Sequence, residues 1–558
     1  MNDRLTELLR SPWLVGIAMM VVSTGGCGQS PADLVVVGGE VWTGEADRPW
    51  AAGISVVDGT IEAVGSESMI RSRIGPDTRV VELDGRFAMP GFIDTHTHFL
   101  DGGFRLSAVD LRAADSPDEF ARRLAEYAER LEKGEWILGG DWDHEMWGGE
   151  LPDRSWIDSI TPDNPVFVTR LDWHMALANT RALEVAGVAA DIVSPAGGEV
   201  VRDASGRLTG VFKDEAMPVV AAHIPRPSAA QRDSALLAAM GHAASLGVTG
   251  VTDMGSWEDL ETYERARRSG DLTLRVYAYV PLSTVDSLID RVEGAGDGDD
   301  WLRIGGLKGF VDGSLGSGTA LFETPYSDEP GNSGLFVTSM EELGKQVAKA
   351  DDGGLQVAIH AIGDRAIRML LDLYEGLEAE NGPRDRRYRI EHAQHLGASD
   401  VHRFERLGVV AAMQPYHAID DGRWAERRIG EDRARLTYAF RSLLDSGAVV
   451  AFGSDWTVAP LDPLLGVYAA VTRRTLDRSN PGGWVPEQKI DVERALRGYT
   501  ESAAWAGFWD DKTGTLRPGL LADIVVLSES PFAVGPDRML DVRVDLTMVG
   551  GREVYSRP

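Results

Sequence analysis

Two histidines one residue apart, His96 and His98, follow the apolar run Pro90-Gly-Phe-Ile-Asp-Thr. On a β-strand, side chains at positions i and i+2 point to the same face, so both imidazoles can reach one metal ion. A His-x-His pair alone is more often two surface histidines than a metal site. Its meaning therefore depends on the residues that the rest of the chain supplies.

Four further titratable residues fall at or near the ends of predicted buried strands. They are Lys308, His360, His392 and Asp455. Four of the eleven histidines of the chain thus occupy strand-end positions, together with one lysine and one aspartate. Neutral imidazoles and a carboxylate suit zinc or another divalent transition metal. The set predicts a site that holds one or two such ions.

A protonated lysine cannot bind a cation, but a lysine carboxylated by carbon dioxide is a two-oxygen anion that can bridge two metals. Water between two metals loses a proton near neutral pH and becomes a nucleophile. Asp455 could hold one metal, take the proton from the attacking water and pass it to the leaving group. The residues therefore predict a metal-dependent hydrolase, with carboxylated Lys308 as the possible bridge.

The elements that must position these residues alternate between short apolar strands and amphipathic helices, which is typical of a parallel α/β fold. Strands are predicted at 87–94, 136–139, 248–252, 302–310, 355–359, 388–390, 409–413 and 449–453. Ser116 and Ser228 begin capping boxes at the starts of two helices. Eight strands with catalytic groups at their carboxyl ends predict a distorted (β/α)8 TIM barrel.

Both ends of the chain outside this barrel are rich in β-strand signals, including the hairpin signal Asp58-Gly59. We expect residues 33–88 and 510–558 to form one small composite β-sandwich domain. The barrel would then occupy residues 89–509, with an insertion at about 141–227.

The first 27 residues have the features of a lipoprotein-type signal peptide. Arginines precede the apolar run 13–22, and small residues lead to Cys27, the only cysteine of the chain. We expect export, with Cys27 acylated and the protein anchored in the membrane, facing the periplasm or the cell exterior. A plain secretory signal peptide is the alternative. With one cysteine, no intrachain disulfide can form.

The formal net charge of −31 argues against binding to nucleic acid and against electrostatic docking on anionic lipid. The expected partner is a small-molecule substrate, with membrane contact only through the N-terminal lipid anchor. A homodimer is left open.

Longer motifs surround the candidate ligands: Phe310-Val-Asp-Gly-Ser-Leu-Gly-Ser317, His360-Ala-Ile-Gly-Asp-Arg365, Ile390-Glu-His-Ala-Gln394 and Phe452-Gly-Ser-Asp-Trp456. With them the chain resembles the amidohydrolase superfamily, and more closely the amidohydrolase-3 branch that includes N-substituted formamide deformylases. The resemblance covers roughly residues 33–556. It implies a distorted barrel with a terminal β-sandwich, and hydrolysis of carbon–nitrogen bonds other than ordinary peptide bonds.

The resemblance also implies how the ligands divide. His96, His98 and Asp455 would hold one metal. His360 and His392 would hold the other, with Lys308 as the bridge. If Lys308 stays an amine, the site is expected to hold a single metal.

Substrate-binding candidates are less specific. They are His174, Glu215, Trp142 and Tyr416. For each of them an ordinary structural role is a real alternative. His144, His395 and His417 lie near the relevant loops, but the sequence assigns them no role.

Two other functions remain open at this point. A mononuclear aminohydrolase that deaminates a heterocycle would usually lack the strand-four lysine, so Lys308 counts against it. A non-catalytic, lipid-anchored solute-binding protein would be expected to have lost some ligands, whereas this chain has the full set.

Overall fold

The computed structural model describes residues 31–170, 175–195, 198–214, 216–316 and 318–558. The predicted signal peptide 1–27 and the candidate substrate residues His174 and Glu215 lie outside the described residues. In the described part of the chain, no helix is long and apolar enough to span a bilayer.

The strands are distributed over the whole described chain. In chain order they are β1 (Leu34–Trp42), β2 (Trp50–Val57), β3 (Thr60–Gly65), β4 (Arg79–Glu82), β5 (Phe87–Pro90), β6 (Phe92–Thr97), β7 (Val109–Asp110), β8 (Ile137–Trp142), β9 (Val166–Arg170), β10 (Met175–Ala178), β11 (Gly198–Arg202), β12 (Leu208–Asp214), β13 (Val248–Met254), β14 (Arg275–Pro281), β15 (Leu302–Phe310), β16 (Gln356–Ala361), β17 (Arg389–His392), β18 (Val410–Met413), β19 (Val450–Phe452), β20 (Ile524–Leu527), β21 (Val544–Val549) and β22 (Arg552–Ser556).

The α-helices lie mostly between the strands of the central part of the chain. They are α1 (Glu67–Arg71), α2 (Phe99–Leu106), α3 (Pro117–Ala128), α4 (Thr180–Val185), α5 (Pro218–Ala221), α6 (Ala229–Ser245), α7 (Trp257–Ser269), α8 (Val285–Ala295), α9 (Met340–Asp352), α10 (Asp364–Asn381), α11 (Val401–Arg406), α12 (Pro415–Asp421), α13 (Ala425–Ile429), α14 (Glu431–Ala434), α15 (Phe440–Asp445), α16 (Pro463–Thr472), α17 (Val492–Gly498) and α18 (Glu501–Ala506).

A parallel barrel is the centre of the molecule. Its eight strands pair in the order β6-β13-β14-β15-β16-β17-β18-β19. A parallel bridge between Thr97 and Trp456 joins the ends of the first and last strands, so the sheet is nearly closed. The predicted TIM barrel is confirmed, and its largest apolar core lies between the strands and the surrounding helices.

One barrel strand differs from the prediction. The predicted strand at 136–139 corresponds to β8, which pairs with β7 and β9 in a separate sheet. The third barrel strand is β14, which was not predicted. Its first residue, Arg275, is fully buried because Asp523 pairs with it, and Pro281 ends it. A strand that contains a buried charge and ends in proline lacks the apolar pattern from which strands are predicted.

The separate sheet has six strands in the order β11-β12-β10-β9-β8-β7. It begins at Val109, earlier than the expected start of the insertion at residue 141. It has its own apolar core, which includes Phe120, Trp142 and Val168. The segment from β7 to β12 is therefore a structural unit with its own core, whereas α2 and α6 pack in the core of the barrel.

The two ends of the described chain meet in a mixed eight-stranded sheet, in the order β22-β21-β20-β5-β1-β2-β3, with β4 beside β1. The turn between β2 and β3 is formed by Asp58 and Gly59, whose φ angles are 49° and 73°, as the hairpin signal predicts. Arg275 of β14 and Asp523 form a buried bidentate ion pair, with N–O distances of 2.6 and 2.8 Å, that fastens this sheet to the barrel.

Candidate metal centre

His96 is held by a buried carboxylate. It lies near the end of β6, and its Nδ1 is 2.5 Å from Oε2 of Glu391 on β17. The carboxylate accepts a hydrogen bond from Nδ1–H. The lone pair of Nε2 therefore faces the barrel mouth. There Nε2 lies 3.3 Å from Lys308 Nζ and 3.6 Å from Asp455 Oδ1. The ring is thus oriented as a metal ligand.

Glu391 remains ionised although it is fully buried. Burial raises its pKa, but Arg389 and His96 outweigh burial and lower the pKa to about 2. Arg389 Nε donates to Glu391 Oε1 at 2.7 Å, and the guanidinium also donates to the carbonyl of Thr95 at 2.5 Å. Arg389 and Glu391 therefore form a buried support that fixes the orientation of His96.

Asp455 stands at the meeting point of the cluster. Its Oδ1 lies 3.5 Å from His98 Nε2 and its Oδ2 lies 4.0 Å from His417 Nε2. Its backbone adopts a left-handed conformation, with φ of 61°, and its N–H donates to the carbonyl of His96 at 2.7 Å. Burial raises the pKa of Asp455, but the neighbouring histidines, His96 first, hold it well below its ordinary value.

Asp94 ties the two strand ends together. Its buried carboxylate accepts hydrogen bonds from the backbone N–H of His96 at 3.1 Å and of Ser454 at 3.0 Å. Burial raises its pKa to about 7. Only glycine fits at 453, because a Cβ there would lie 2.5 Å from the His96 nitrogen. The motif Gly453-Ser-Asp455 is therefore required for the close approach of the first and last strands.

The imidazoles of the fifth and sixth barrel strands lie side by side, with ring centroids of His360 and His392 4.5 Å apart. His392 Nδ1 lies 2.8 Å from Gln414 Oε1, and His360 Nε2 lies 3.1 Å from the carbonyl of Gly313. Since both acceptors are oxygens, each ring donates one proton and keeps one free nitrogen.

These rings carry no charge at neutral pH. Burial lowers the pKa of His96 to about 4 and that of His360 to about 3, and it lowers the pKa of His392 well below the ordinary value. Burial also lowers the pKa of Lys308 to about 8, against the effect of Glu391 and Asp455. Metal ligands must be deprotonated, so His96, His360 and His392 are ready to bind a cation. Burial lowers the pKa of His98, but Asp455 outweighs burial and raises it, so this ring would release a proton when a metal binds.

Within the described residues, two groups of three side chains bring their ligand atoms within 4.8 Å of one another: His96, His98 and Asp455, and His392, His417 and Asp455. Imidazole nitrogens with a carboxylate oxygen fit a divalent transition metal. A further sign of fit is the buried His417 Nε2, which has no hydrogen-bond partner among the described residues.

His417 is the residue that sequence reasoning missed. It belongs to α12, which starts directly after the seventh barrel strand, β18. No spacing motif marks it, since it stands alone in Gln414-Pro-Tyr-His417. The available signal was its position four residues after a predicted strand end.

Two predicted substrate residues fall within the described chain. Trp142 is completely buried in the core of the six-stranded sheet, and its Nε1 donates to the carbonyl of Val168 at 2.9 Å. This position argues against contact with substrate and explains the tryptophan as a core residue. Tyr416 is half-buried beside His417, at the barrel mouth.

A cleft of about 390 Å³ is lined by segments that follow His98 and Asp455 in the chain. It lies between α2, the residues Gly139 to Asp141 of the six-stranded sheet, and the loop from Trp456 to Pro460 that follows Asp455. Another cleft, of about 450 Å³, is lined by the terminal sheet rather than by the barrel. The first cleft is lined by the loop that follows Asp455, but by none of the clustered histidines, Lys308 or Asp455 itself.

The family model for the amidohydrolase family matches residues 79–555. The chain belongs to the amidohydrolase family. This amidohydrolase is 41% identical over 537 residues to Protein LONG AFTER FAR-RED 3 of Arabidopsis thaliana, covering 94% of this chain and 92% of that protein. It is 27% identical over 546 residues to the N-substituted formamide deformylase of Arthrobacter pascens, covering 94% and 98% of the two chains. The predicted family is confirmed.

A solved structure supports the same conclusion for the fold. This amidohydrolase is similar to the crystal structure of an uncharacterized metal-dependent hydrolase from Pyrococcus horikoshii OT3, with a TM-score of 0.78 and 31% sequence identity. The match covers 90% of this chain and 99% of the other. The family and this neighbour agree with the predicted class, a metal-dependent hydrolase.

Proposed function

We propose that this amidohydrolase cleaves a non-peptide carbon–nitrogen bond of an amide, a formamide or an N-acyl compound. The observation that carries the proposal is the buried cluster around Asp455 at the carboxyl ends of the barrel strands. The choice of bond is supported by the similarity, over 94% of the chain, to an N-substituted formamide deformylase. A barrel mouth with an ionised carboxylate and the neutral imidazoles of His96, His360 and His392 is suited to hydrolysis.

His96, His98 and Asp455 would hold a divalent metal, with zinc expected from the imidazole and carboxylate donors. When bound, such a metal supplies a Lewis acid that lowers the pKa of water and polarises a carbonyl oxygen. Glu391 keeps the Nδ1 proton of His96 in place, so that Nε2 stays available to the metal.

Asp455 would act as the proton-transfer group. Its carboxylate is ionised at neutral pH, because the surrounding histidines hold its pKa well below the ordinary value despite burial. It can therefore accept a proton from the attacking water and donate it to the leaving nitrogen. The backbone N–H of Asp455 donates a hydrogen bond to the carbonyl of His96. This bond holds the carboxylate beside the other proposed ligands.

The substrate is expected to be a small molecule, because the cleft of about 390 Å³ between α2 and the loop after Asp455 falls within the range of ligand pockets, roughly 300–1,000 Å³. Arg105 and Arg112 line this cleft, and both pair with Asp141. The cleft therefore offers polar groups beside an otherwise apolar wall formed by Leu106 and Val458.

The test is an assay on purified protein that lacks residues 1–27 and has been loaded with zinc. A panel of N-formyl and N-acyl amines is followed for amine release, and a panel of aminated heterocycles for ammonia release. Asp455→Asn should abolish turnover, while the exposed His402→Ala should retain it. Amine release supports the proposal; ammonia release alone would support the deaminase alternative instead.

We also infer that the protein is exported and anchored by a lipid at Cys27, on the strength of the sequence signal in residues 1–27. Metabolic labelling with a radioactive fatty acid tests this. The expected result is a labelled, membrane-associated band that Cys27→Ala removes. A secreted, unlabelled protein would support the plain secretory signal.

A further inference from the structure

We propose that Phe310, Phe336 and Arg365 form an anionic subsite of the barrel mouth, an inference that rests on the proposed hydrolysis of a carbon–nitrogen bond. The two aromatic rings would contact an apolar body of the substrate, and the guanidinium would bind a carboxylate at its far end. The preferred substrate is then an N-formyl or N-acyl derivative of an amine that has an aromatic or aliphatic body and ends in a carboxylate.

Phe310 is the last residue of β15, and its ring reaches the candidate metal centre. Its centroid lies 5.3 Å from that of His360 and 5.0 Å from Lys308 Nζ. The residue is nevertheless 39% exposed. Because the ring contacts two residues of the cluster and is also open to solvent, it borders the space in front of the cluster. An exposed aromatic face at that place favours an apolar group of the substrate.

The run Leu335-Phe336-Val337, in the loop between β15 and α9, extends this apolar surface. These three residues are 48%, 38% and 55% exposed. The Val337 N–H donates to the carbonyl of Val311 at 2.8 Å, and the Val311 N–H donates to the carbonyl of His360 at 2.9 Å. These bonds hold the run against the carboxyl ends of β15 and β16. Exposed apolar residues that lie together beside polar groups are typical of a ligand-binding surface.

Arg365 lies beside this surface, near the start of α10. Its guanidinium carbon is 5.7 Å from the centre of the Phe336 ring. The residue is half-buried, yet within the described residues its side chain forms no hydrogen bond and no ion pair. Arg368, one turn further along the same helix, is bonded to Asp400 and to Glu323, at 3.1 Å each. Arg365 therefore keeps its donors available for a ligand.

A structural role does not account for the charge of Arg365. The neighbouring Asp364 accepts a hydrogen bond from the backbone N–H of Glu323 at 2.9 Å rather than from this guanidinium. α10 spans Asp364–Asn381, and a cation in the first turn of a helix opposes the positive end of the helix dipole. The guanidinium and the helix start together favour a negative group, and a carboxylate matches the geometry of the guanidinium donors.

The anionic subsite lies across the mouth from the cleft of about 390 Å³. β15 and β16 are the fourth and fifth strands of the barrel, whereas the cleft is lined by segments that follow the first and last strands. Strands four positions apart in an eight-stranded barrel face each other across its axis. A substrate whose scissile bond lies at the candidate metal centre can therefore place its charged end at Arg365 and its other end toward the cleft.

The first test measures binding of probes that cannot be hydrolysed, so that it is independent of turnover. Zinc-loaded protein lacking residues 1–27 is titrated by calorimetry with para-methylbenzoate, para-methylbenzyl alcohol and para-methylbenzylammonium. The wild type should bind the benzoate about 10- to 100-fold more tightly than the alcohol. Arg365→Met should bind these two probes equally, and Arg365→Glu should prefer the ammonium. The exposed control Arg552→Met, on β22, should keep the wild-type preference.

Phe310→Ala tests the apolar part of the subsite. It should weaken binding of the benzoate and of the alcohol by about 10-fold each, because contact with the ring does not depend on charge. Zinc per chain is measured on the same sample. If Phe310→Ala loses zinc, Phe336→Ala gives the same measurement at a residue outside the cluster. Unchanged binding of both probes by a variant that retains zinc would refute the apolar contact.

Turnover then separates the subsite from the proposed function. In the wild type, N-formyl-para-(aminomethyl)benzoate should have a KM about 10- to 100-fold lower than that of N-formylbenzylamine, and in Arg365→Met the two KM values should be equal. Hydrolysis of both compounds with equal KM by the wild type would overturn the subsite and uphold the proposed function.

The remaining outcomes are equally distinct. A carboxylate can also bind zinc, and in that case Arg365→Met would keep the full preference for the benzoate, which would overturn the subsite. Benzoate binding that depends on Arg365, without hydrolysis of any amide, would instead refute the proposed function and uphold the subsite.

Discussion

The orientation of one proposed metal ligand, His96, depends on a single buried carboxylate. Glu391→Gln keeps an oxygen that can accept the hydrogen bond from His96 Nδ1–H. It removes the negative charge that strengthens this hydrogen bond. Because such supporting groups tune ligand strength, we expect zinc affinity to fall by about 10- to 100-fold. Competition with a coloured chelator measures this.

The matched control is the exposed Glu405→Gln, on α11. It should bind zinc as the wild type does. Equal affinity of the Glu391 and Glu405 variants, with both folded, would show that the pair between Glu391 and His96 does not tune the ligand.

Lys308 is expected to react with carbon dioxide more readily than an ordinary lysine. Burial lowers its pKa to about 8, so the neutral, reactive amine increases as pH rises from 7 to 9. We expect bicarbonate to increase metal uptake by the metal-free protein, and more so at pH 9 than at pH 7. Labelling with ¹³C-bicarbonate should give a carbamate signal in the NMR spectrum that Lys308→Ala lacks. Metal uptake that does not change with bicarbonate at either pH would contradict the bridging role of Lys308.

At the scale of single residues, the sequence predicted the candidate site wherever a metal-binding type of residue lies at the end of a strand. His96, His98 and Asp455 do converge, and Lys308 lies 3.3 Å from His96. The sequence analysis missed His417 because this residue lies at the start of a helix rather than at the end of a strand. Trp142 lies in the core of the six-stranded sheet, and a core aromatic and a pocket aromatic have the same sequence pattern.

Among the elements, the connection between α9 and β17 depends on Asp351. Its buried carboxylate accepts hydrogen bonds from Arg386, Tyr388 and Asn381 at 2.7, 2.6 and 2.8 Å. Burial raises its pKa, but these bonds and Arg384 outweigh burial and lower the pKa to about 2. Asp351 thus fastens the end of α9 to the segment that leads into β17, the strand of Glu391 and His392.

The lowered pKa determines the sign of the pH effect. A carboxyl group with a lower pKa in the folded state stabilises above its unfolded pKa of about 3.9, and the stabilisation is lost as pH falls toward 2. Asp351→Asn should reduce the free energy of unfolding by about 2 kcal/mol at pH 7. The difference from the wild type should shrink between pH 4 and pH 2.

Thermal and urea unfolding across that pH range measure the effect, with the exposed Asp352→Asn as the matched control. The control should follow the wild type throughout. A constant difference between the wild type and Asp351→Asn from pH 7 to pH 2 would refute the assignment.

Elements with clear local signals were predicted well. Ser116 and Ser228 cap α3 and α6, and the Ser228 box is reciprocal, with Gln231 bonding back to the cap. The strand Leu302–Phe310 has the expected bounds. β14 was missed because the partner of Arg275 is supplied by residue 523, and no local pattern can reveal a partner that distant in sequence.

For the whole molecule, the buried pair of Arg275 and Asp523 decides how firmly the terminal sheet is attached to the barrel. Both side chains are almost completely buried. Removing one partner leaves an uncompensated charge, so Asp523→Ala should cost about 3–5 kcal/mol of unfolding free energy. Denaturant unfolding followed by circular dichroism measures this loss.

The double variant Arg275→Leu with Asp523→Leu removes both charges and should recover much of that loss. The surface pair of Lys345 and Glu341 on α9 provides the control, since Glu341→Ala should change stability by less than about 1 kcal/mol. Equal costs at the buried and exposed pairs would contradict the role given to Asp523.

The contact between the first and last barrel strands also determines when, during synthesis of the protein, the candidate metal ligands can come together. The contacts that place His96 beside Asp455, such as the bond between Asp94 and Ser454, join positions 360 residues apart. A ribosome adding about 5–20 residues per second needs on the order of 20 to 70 s to cover that distance. Until then the nascent chain carries His96 and His98 without their carboxylate, so it cannot trap a metal in the finished geometry. Metal capture by these proposed ligands would therefore mark a chain whose barrel has been completed.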